Sequence, residues 1–315
     1  MENRVLVTTQ MMIHDKDRFY SWLKELGYEA DFIMNDQFLT ESNCLKIEPI
    51  YCGWIAGDDE ITSKVIDHFC PKLKVISKWG TGIDSIDTGY AGRKGLTIKN
   101  SPGAFKDAVG ELAVGYLLAL VRGIVDTHIA VAAGGWPKRQ YKTLVGMKIG
   151  IVGMGAIGVG VAQRLTAFGC SLAYSDPGVD NVGYEKLELQ TLFARSEVVI
   201  LTCNLNSSTF HLVNEDLLKI SKEGLFLINV SRGPIVDESA LLRALESKSL
   251  SGVALDVYEE EPLPIQSKIK AFDNVILGSH NANNTEYAVE YVHENTINQL
   301  NDFLKLNTEI ERKIK

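Results

Sequence analysis

The sequence predicts an α/β protein made of two doubly wound, parallel-sheet domains, and three observations support this fold class. Short β-branched runs such as "RVLVT" and "EVVILT" alternate with helical stretches, as they do in βαβ units. The alternation is interrupted at "NSPG" (100–103) and begins again at "KIGIVG" (148–153). The length of 315 residues is sufficient for two domains.

Individual elements can be assigned from their patterns. In the first block, "RVLVT" and "LKVISKWG" predict strands, and "DKDRFYSWLKELG" predicts a helix that Gly27 closes. A long helix is predicted from Asp107 to Ala133, and "DESALLRALES" predicts a helix that Asp237 caps. The strands of the second block are predicted at "KIGIVG", "SLAYSD", "EVVILT", "LFLINV", "GVALDV" and "NVILGS".

The last predicted helix, from Thr285 to Leu306, has no strand of its own. We therefore expect it to pack back on the first block, which makes the N-terminal domain discontinuous. That domain would comprise residues 1–100 and 284–315, and the second domain would span residues 101–283.

Composition excludes several classes of function. The apolar content of 45% is that of an ordinary globular protein, and the net charge of -8 argues against nucleic acid as a partner. The five cysteines have no CxxC spacing, which predicts reduced thiols and neither a disulfide framework nor a metal site. The N-terminus has no apolar signal region, and the longest apolar stretch, "LAVGYLLALV", is too short to span a membrane. We therefore expect a cytoplasmic protein without a membrane partner.

A glycine-rich turn follows the first strand of the second block. Gly153, Gly155 and Gly158 have GxGxxG spacing, with Ala156 and Ile157 between the last two, and an amphipathic helix follows. This context predicts a Rossmann dinucleotide site, in which the helix N-terminus binds the pyrophosphate. The next strand ends at Asp176, whose carboxylate would accept the ribose hydroxyls and repel a 2′-phosphate. The prediction is therefore NAD (NADH), with NADP less favoured, and the alternative is a glycine-rich turn without a ligand.

Three polar side chains follow other strands of this block, at the edge where ligands bind. Arg232 could hold a carboxylate through two parallel hydrogen bonds, or it could pair at the surface with Asp237 or Glu238. Glu261 belongs to the acidic run "DVYEEEPLP", which could also be a solvated loop. His280 could exchange a proton near neutral pH, or it could be structural, as we expect for the other five histidines.

These motifs, taken in order, are similar to those of the D-isomer-specific 2-hydroxyacid dehydrogenases, a family that includes phosphoglycerate dehydrogenase. The resemblance extends from about "LKVISKWGTGIDSID" to "GSHNANNT" and is strongest in "GMKIGIVGMGAIG", "INVSRGPIVDESAL" and "GVALDVYEEEPLP". It implies two Rossmann-like domains, of which the first is a flavodoxin-like substrate or lid domain and the second binds NAD. It also implies a homodimer formed through the cofactor domains, with the stretch from Asp107 to Ala133 as a plausible contact.

The resemblance implies catalytic roles for the three strand-end residues. Arg232 would bind the substrate carboxylate and carbonyl, and His280 would be the acid and base. Glu261 would pair with His280, fix its tautomer and favour the protonated ring, whereas Glu259 and Glu260 would be solvated. Asp256 would hold the nicotinamide carboxamide. The remaining cofactor contacts implied are Thr209, Val230 and Ser231.

The resemblance also places substrate binding on a loop of the first domain. In "SKWGTGID", the backbone N–H groups of Gly80, Thr81 and Gly82 would bind the substrate carboxylate, unless the loop is an ordinary turn. Several features depart from the family pattern. Trp79 could narrow the pocket or stack on the substrate, and an asparagine cluster could alter contacts near the nicotinamide. Phosphoglycerate-type members carry an arginine where "AG" (56–57) stands, although Lys78 could compensate for it. The asparagines of the cluster are Asn281, Asn283 and Asn284.

The predicted function is therefore hydride transfer between NAD(H) and a small D-2-hydroxy acid or 2-oxo acid. The alternative is a non-catalytic NAD(H)-sensing protein on the same scaffold. The sequence does not identify the side chain of the acid or the direction of the reaction.

Overall fold

The computed structural model describes residues 3–180 and 182–314, with the backbone alone for residues 308–314. It divides into two compact units, Met1–Ala104 with Thr285–Lys315, and Phe105–Asn284. The sequence had suggested divisions after residues 100 and 283, so each boundary in the structure lies slightly further along the chain.

The first unit is a parallel sheet with helices. In the described part of this unit the strand order is β2-β1-β3-β4-β5, and every pair is parallel. The strands are β1 Arg4–Val7, β2 Glu29–Phe32, β3 Gly53–Ala56, β4 Val75–Lys78 and β5 Thr97–Lys99. The helices are α1 Gln10–Ile13, α2 Lys16–Glu25, α3 Glu41–Cys44, α4 Ser63–Phe69, α5 Thr88–Arg93 and the C-terminal helix Glu286–Ile314.

The C-terminal helix completes this unit, as the sequence predicted. A Cβ at Gly53 of β3 would lie 3.1 Å from Leu300 of the helix, so the glycine lets the two backbones approach closely. The hydroxyl of Ser77 in β4 donates to the carbonyl of Thr296 at 2.8 Å. The discontinuous first domain is therefore confirmed, and the helix runs beyond the predicted Leu306.

The second unit contains the larger sheet. Its strand order among the described residues is β12-β11-β10-β9-β6-β7-β8, again with parallel pairs. The strands are β6 Lys148–Val152, β7 Ser171–Ser175, β8 Glu185–Lys186, β9 Val198–Leu201, β10 Leu225–Asn229, β11 Leu250–Leu255 and β12 Val275–Leu277. The helices are α6 Lys106–Val121, α7 Ile124–Ala132, α8 Ala156–Ala167, α9 Leu189–Arg195, α10 Glu215–Lys219 and α11 Glu238–Glu246, and the C-terminal helix is α12.

The burial of the second sheet explains why its central strands are continuous apolar runs. All four residues of β9 are fully buried, as expected for a parallel strand covered on both faces. The direction of strand order reverses between β6 and β9, which creates a crevice at their carboxyl ends. All six strands predicted for this block are present, and the short edge strand β8 was not predicted.

One predicted helix is two helices in the structure. The stretch from Asp107 to Ala133 breaks at Gly123, which has φ 55°, and α6 and α7 meet at a bend of 59°. In the described ranges, no single helix is long and apolar enough to cross a membrane, although α6 and α7 taken together meet those two criteria.

Candidate active site

The glycine-rich turn between β6 and α8 needs its glycines for different reasons. Gly153 has φ 89°, and a Cβ there would lie 2.5 Å from the Cα of Cys203. A Cβ at Gly158 would overlap the carbonyl oxygen of Gly153, so this glycine lets α8 pack against the turn. A Cβ at Gly155 would meet nothing within 4 Å among the described residues. The space beside Gly155 is where a pyrophosphate would approach the backbone.

The N-terminus of α8 has the donors that a phosphate group requires. Its N-cap, Gly155, has no side chain to satisfy the N–H groups of the first turn, and Gly155 and Ala156 are exposed. Ile157, in the same turn, is half-buried. Free N–H groups and the positive end of the helix dipole together favour an anion here. The residues therefore fit the predicted dinucleotide.

Asp176 lies at the end of β7 and contacts the glycine-rich turn directly. Its Oδ2 accepts a hydrogen bond from the N–H of Met154 at 2.7 Å, and its Oδ1 accepts one from Gly178 at 2.8 Å. Each carboxylate oxygen has two acceptor sites, so both can also accept a ribose hydroxyl. This geometry suits the role predicted for Asp176.

The other predicted cofactor residues follow β9 and β10. Thr209 donates to the carbonyl of Asn204 at 2.7 Å and fixes the loop after β9. Val230 is buried, and the Ser231 hydroxyl donates to the carbonyl of Cys203. These contacts connect the ends of neighbouring strands beside the glycine-rich turn. Contact of these residues with the cofactor remains a prediction.

His280 and Glu261 are brought together as the sequence analysis expected. The Nδ1 of His280 lies 2.7 Å from Oε2 of Glu261, and the side chains are 27% and 18% exposed. Oε1 of Glu261 accepts a hydrogen bond from the N–H of Tyr258 at 2.9 Å, which orients the carboxylate. Because the carboxylate contacts Nδ1, proton exchange with a substrate would use Nε2.

The backbone at His280 adopts an unusual conformation. Its φ is 53°, in the left-handed region, which is uncommon for residues other than glycine. The N–H of His280 donates to the carbonyl of Asp256 at 2.7 Å. The Asp256 carboxylate is 2% exposed and accepts from the N–H of Ala282 at 2.9 Å. The turn that carries His280 is therefore anchored on Asp256, whose predicted contact with the carboxamide remains a prediction.

Arg232 follows β10 and leads into a 3-10 turn at Gly233–Ile235. Its Nη1 donates to the carbonyl of Ser231 at 2.9 Å, and its own carbonyl accepts from the Asn229 side chain at 2.9 Å. A Cβ at Gly233 would overlap the carbonyl of Tyr258, so the turns carrying Arg232 and Glu261 touch through their backbones.

The acids offered as alternative partners for Arg232 have other contacts. Asp237 caps α11 by accepting from the N–H of Ala240 at 3.0 Å. Glu238 accepts from the N–H of Glu259 at 2.8 Å, and Glu259 accepts from the N–H of Glu238 at 3.1 Å.

Glu259 is exposed, as expected, but it also makes specific contacts. Besides its exchange with Glu238, it lies 2.9 Å from Nε2 of His211. Glu260 is exposed, as expected. Among the described residues, one group that could hold a metal ion comes together here, His211, Asp237 and Glu259, with ligand atoms within 4.8 Å. The pairing of His211 with Glu259 and the capping role of Asp237 are sufficient to explain why these three side chains lie close together.

The glycine-rich loop of the first unit is well braced. Gly80 has φ 118°, and its carbonyl accepts from the N–H of Ser101 at 2.8 Å. Thr81 donates through its hydroxyl to the carbonyl of Ser101 at 3.1 Å, and its own carbonyl accepts from the Asn100 side chain at 2.6 Å. Binding of a carboxylate by Gly80, Thr81 and Gly82 remains a prediction.

Trp79 belongs to the core of this unit. It is 6% exposed, and its indole N–H donates to Nδ1 of His293 at 3.0 Å. Burial lowers the pKa of His293 to about 4, so its ring is neutral at pH 7 and can accept that hydrogen bond. The indole is therefore held by the core rather than standing in an open pocket. The neutral, buried His293 is structural, as expected.

The hydrogen bonds of two tyrosines near the site, and the contacts within the asparagine cluster, were not predicted from the sequence. Tyr258 donates to the carbonyls of Leu255 and Gly278 at 3.1 and 2.8 Å, and Tyr116 of α6 donates to Asp256 at 3.0 Å. A hydroxyl within the otherwise apolar stretch "LAVGYLLALV" was the only sequence signal for Tyr116. In the cluster, Asn284 hydrogen-bonds Asn281 through both backbone and side chain.

Comparisons with known proteins show the family of the chain. Residues 114–282 match the family described as D-isomer specific 2-hydroxyacid dehydrogenase, NAD binding domain. A glyoxylate reductase of Thermofilum pendens is 40% identical over 72% of this chain and 70% of its own length. A hydroxypyruvate reductase of Thermotoga maritima is 36% identical over 78% of this chain and 83% of its own length.

Solved structures show the same fold along nearly the whole chain. D-lactate dehydrogenase from Aquifex aeolicus, complexed with NAD and lactic acid, has a TM-score of 0.86 and 26% identity, with 97% of this chain and 96% of that chain covered. The family and these relatives are enzymes, which favours the catalytic prediction over the sensor. The chain therefore belongs to the D-isomer specific 2-hydroxyacid dehydrogenases, NAD-dependent oxidoreductases that transfer a hydride between nicotinamide and a 2-hydroxy or 2-oxo acid.

Proposed function

We propose that this chain reduces small, unphosphorylated 2-oxo acids such as glyoxylate and hydroxypyruvate, with His280, Glu261 and Arg232 as its catalytic residues. The observation that carries the proposal is the 2.7 Å contact between His280 and Glu261 at the strand-end edge of the sheet. The turn carrying Arg232 touches the turn carrying Glu261. An acid, its supporting carboxylate and a guanidinium are the groups that reduction of a 2-oxo acid requires.

The chemistry divides between cofactor and protein. NADH, when bound, supplies the hydride, and Gly155, the N-terminus of α8 and Asp176 would hold it. Arg232 would bind the substrate carboxylate through paired N–H donors and polarise the carbonyl. Protonated His280 would donate from Nε2 to the carbonyl oxygen, while Glu261 stabilises the charged ring through Nδ1. In the reverse direction, neutral His280 would accept the hydroxyl proton.

The first unit supports an unphosphorylated substrate. Phosphoglycerate-type members carry an arginine near the position of residues 56–57, and Lys78 is the cation that could replace it in binding a phosphate. Its ammonium is 4% exposed, lies 2.9 Å from Asp58 and donates to the carbonyl of Trp79 at 3.0 Å. Asp59, beside Asp58, is fully buried. A lysine paired with a carboxylate, next to a second acid, is a poor partner for a phosphate dianion.

The experiment is a panel of 2-oxo acids with NADH oxidation as the signal. We expect turnover with glyoxylate and hydroxypyruvate, less with 2-oxoglutarate, and a preference for NADH over NADPH. His280→Asn should lower kcat by a factor on the order of 100 to 10,000, the usual contribution of a general acid. Arg232→Lys should chiefly raise KM for the oxo acid. NADH binding without turnover on any member of the panel would support the sensor instead.

We also propose that the protein is a homodimer in which α7 forms part of the contact. Every residue of α7 is at least partly exposed, and Ile124 and Ile129 are 55% and 60% exposed. Trp136, just beyond the helix, is 78% exposed. Exposed apolar side chains concentrated in one short segment support an interaction surface here. All five cysteines are free thiols, and on this ground we propose the reducing cytoplasm as the compartment.

A further inference from the structure

We propose that Tyr116 is a positioning residue for His280 and that it acts through the carboxylate of Asp256. This proposal rests on the proposed catalytic role of His280. Tyr116 lies on α6 and His280 follows β12, and the end of β11, where Asp256 stands, provides a hydrogen-bonded link between them.

The first link is the hydrogen bond between the Tyr116 hydroxyl and Oδ1 of Asp256, at 3.0 Å. Asp256 is 2% exposed, so water cannot readily replace this donor. Burial, together with the neighbouring carboxylate, raises the pKa of the Tyr116 hydroxyl, which therefore stays protonated and remains a donor. Hydrogen bonds to a buried, charged acceptor are among the stronger ones in proteins.

The second link joins Asp256 to the turn that carries His280. The backbone carbonyl of Asp256 accepts from the N–H of His280 at 2.7 Å. Its carboxylate accepts from the N–H groups of Asn281 at 3.3 Å and Ala282 at 2.9 Å. A residue with φ 53° stays in that conformation only when its surroundings hold it there, and Asp256 supplies those contacts.

Tyr116 and Asp256 are closely packed against Gly278, near the end of the strand that leads to His280. A Cβ at Gly278 would overlap both the Tyr116 hydroxyl and the Asp256 carboxylate. The strand end that leads to His280 therefore passes directly against this pair. Without the hydroxyl, the carboxylate loses one of its three donors among the described residues and can rotate. The His280 turn would then shift relative to Glu261, and small displacements of a catalytic group are costly.

The test is a double-mutant cycle of Tyr116→Phe and Asp256→Asn, measured with glyoxylate and NADH. We expect Tyr116→Phe to lower kcat about tenfold or more, because the acid is misplaced. In the Asp256→Asn background the second substitution should add no further loss, since residues acting through one another are not additive. Multiplicative losses, or a wild-type kcat in Tyr116→Phe, would overturn the proposal.

Tyr28→Phe is the matched control. Tyr28 is also a buried tyrosine, and its hydroxyl donates to the side chain of Asn301 at 3.3 Å, within the first unit. We expect wild-type kcat for this variant, although its thermal midpoint should fall about as much as that of Tyr116→Phe. An equal loss of kcat in both variants would mean that a buried hydroxyl matters only for stability, and it would overturn the proposal.

A second readout does not need turnover. The proton on Nδ1 of His280, hydrogen-bonded to Glu261, should give a downfield NMR resonance that is identified by its absence in His280→Asn. We expect Tyr116→Phe to shift or broaden this resonance and Tyr28→Phe to leave it unchanged. An unchanged resonance in Tyr116→Phe contradicts the positioning role. Full activity of His280→Asn would instead overturn the proposed function, so the two failures are distinguishable.

Discussion

Three consecutive glutamates in "DVYEEEPLP" have three different environments. Glu261 contacts His280 and the N–H of Tyr258, Glu259 pairs with His211, and Glu260 is exposed. The contact of Glu261 with His280 could be predicted because the motif around Glu261 resembles that of the family. The partner of Glu259 could not, because His211 lies in a distant loop that only the tertiary fold brings close.

These environments predict different pH dependences. If His280 is the acid, as proposed, reduction of a 2-oxo acid needs its ring protonated, and the rate should fall as the ring loses its proton at higher pH. The Glu261 carboxylate stabilises the charged ring, and Glu261→Gln should therefore move that fall to lower pH and lower the maximal rate. The measurement is kcat against pH between 5 and 9. Glu260→Gln is the control, and an identical displacement in both variants would argue against a special role for Glu261.

At the scale of elements, the site depends on turns that touch one another at the ends of strands. The turn after β10 meets the turn after β11 at Gly233, where a Cβ would overlap the carbonyl of Tyr258. We expect Gly233→Ala to lower the free energy of unfolding by about 1–3 kcal/mol, as overpacking does, and to displace the turn that carries Glu261. The measurements are urea unfolding and kcat.

Gly115→Ala is the matched control for this glycine. Gly115 lies inside α6, and a Cβ there would meet nothing within 4 Å in the part of the chain that the structure describes. We expect this variant to be more stable by about 0.5–1 kcal/mol, because alanine favours the helix, and to keep its kcat. Normal kcat in Gly233→Ala would show that the two turns need not touch for catalysis.

The packing of α12 makes the stability of the first unit depend on pH. The pKa of His293 is about 4 in the folded protein and about 6.5 when unfolded. Between these values the unfolded chain binds a proton that the folded one does not. The stability that the neutral, buried His293 provides is therefore fully present above pH 6.5 and is lost as pH falls toward 4. Between pH 7 and pH 5 the free energy of unfolding should fall by about 2 kcal/mol.

The prediction is a lower thermal midpoint of the wild type at pH 5 than at pH 7. In His293→Asn the amide oxygen can still accept from the indole of Trp79, but the titrating group is gone, so the difference should shrink. His14→Asn, at an exposed position, should keep the wild-type difference. Circular dichroism melts at the two pH values provide the measurement. Equal differences in all three proteins would assign the effect to other groups.

At the scale of the whole molecule, the sequence predicted the fold class and six of the strands of the second unit, because hydrophobic periodicity is a local property. The return of α12 to the first sheet was also predictable, since that helix has no strand of its own. The break between α6 and α7 was not predicted, because a single glycine within an apolar run does not by itself end a helix. The link from Tyr116 to Asp256 was equally hidden, because it joins residues far apart in the chain.

The exposed apolar surface of α7 makes assembly testable. Helix α7 contributes no buried residue, yet it carries Ile124 and Ile129, and exposed Trp136 follows it. If a second copy covers this surface, Ile129→Lys should place a charge in the contact and convert the dimer to a monomer in light scattering after gel filtration. Ile265→Lys is the control, because Ile265 is 92% exposed and lies outside this surface. A dimer that persists in Ile129→Lys, or a wild-type protein that is monomeric at micromolar concentration, would exclude α7 as the contact.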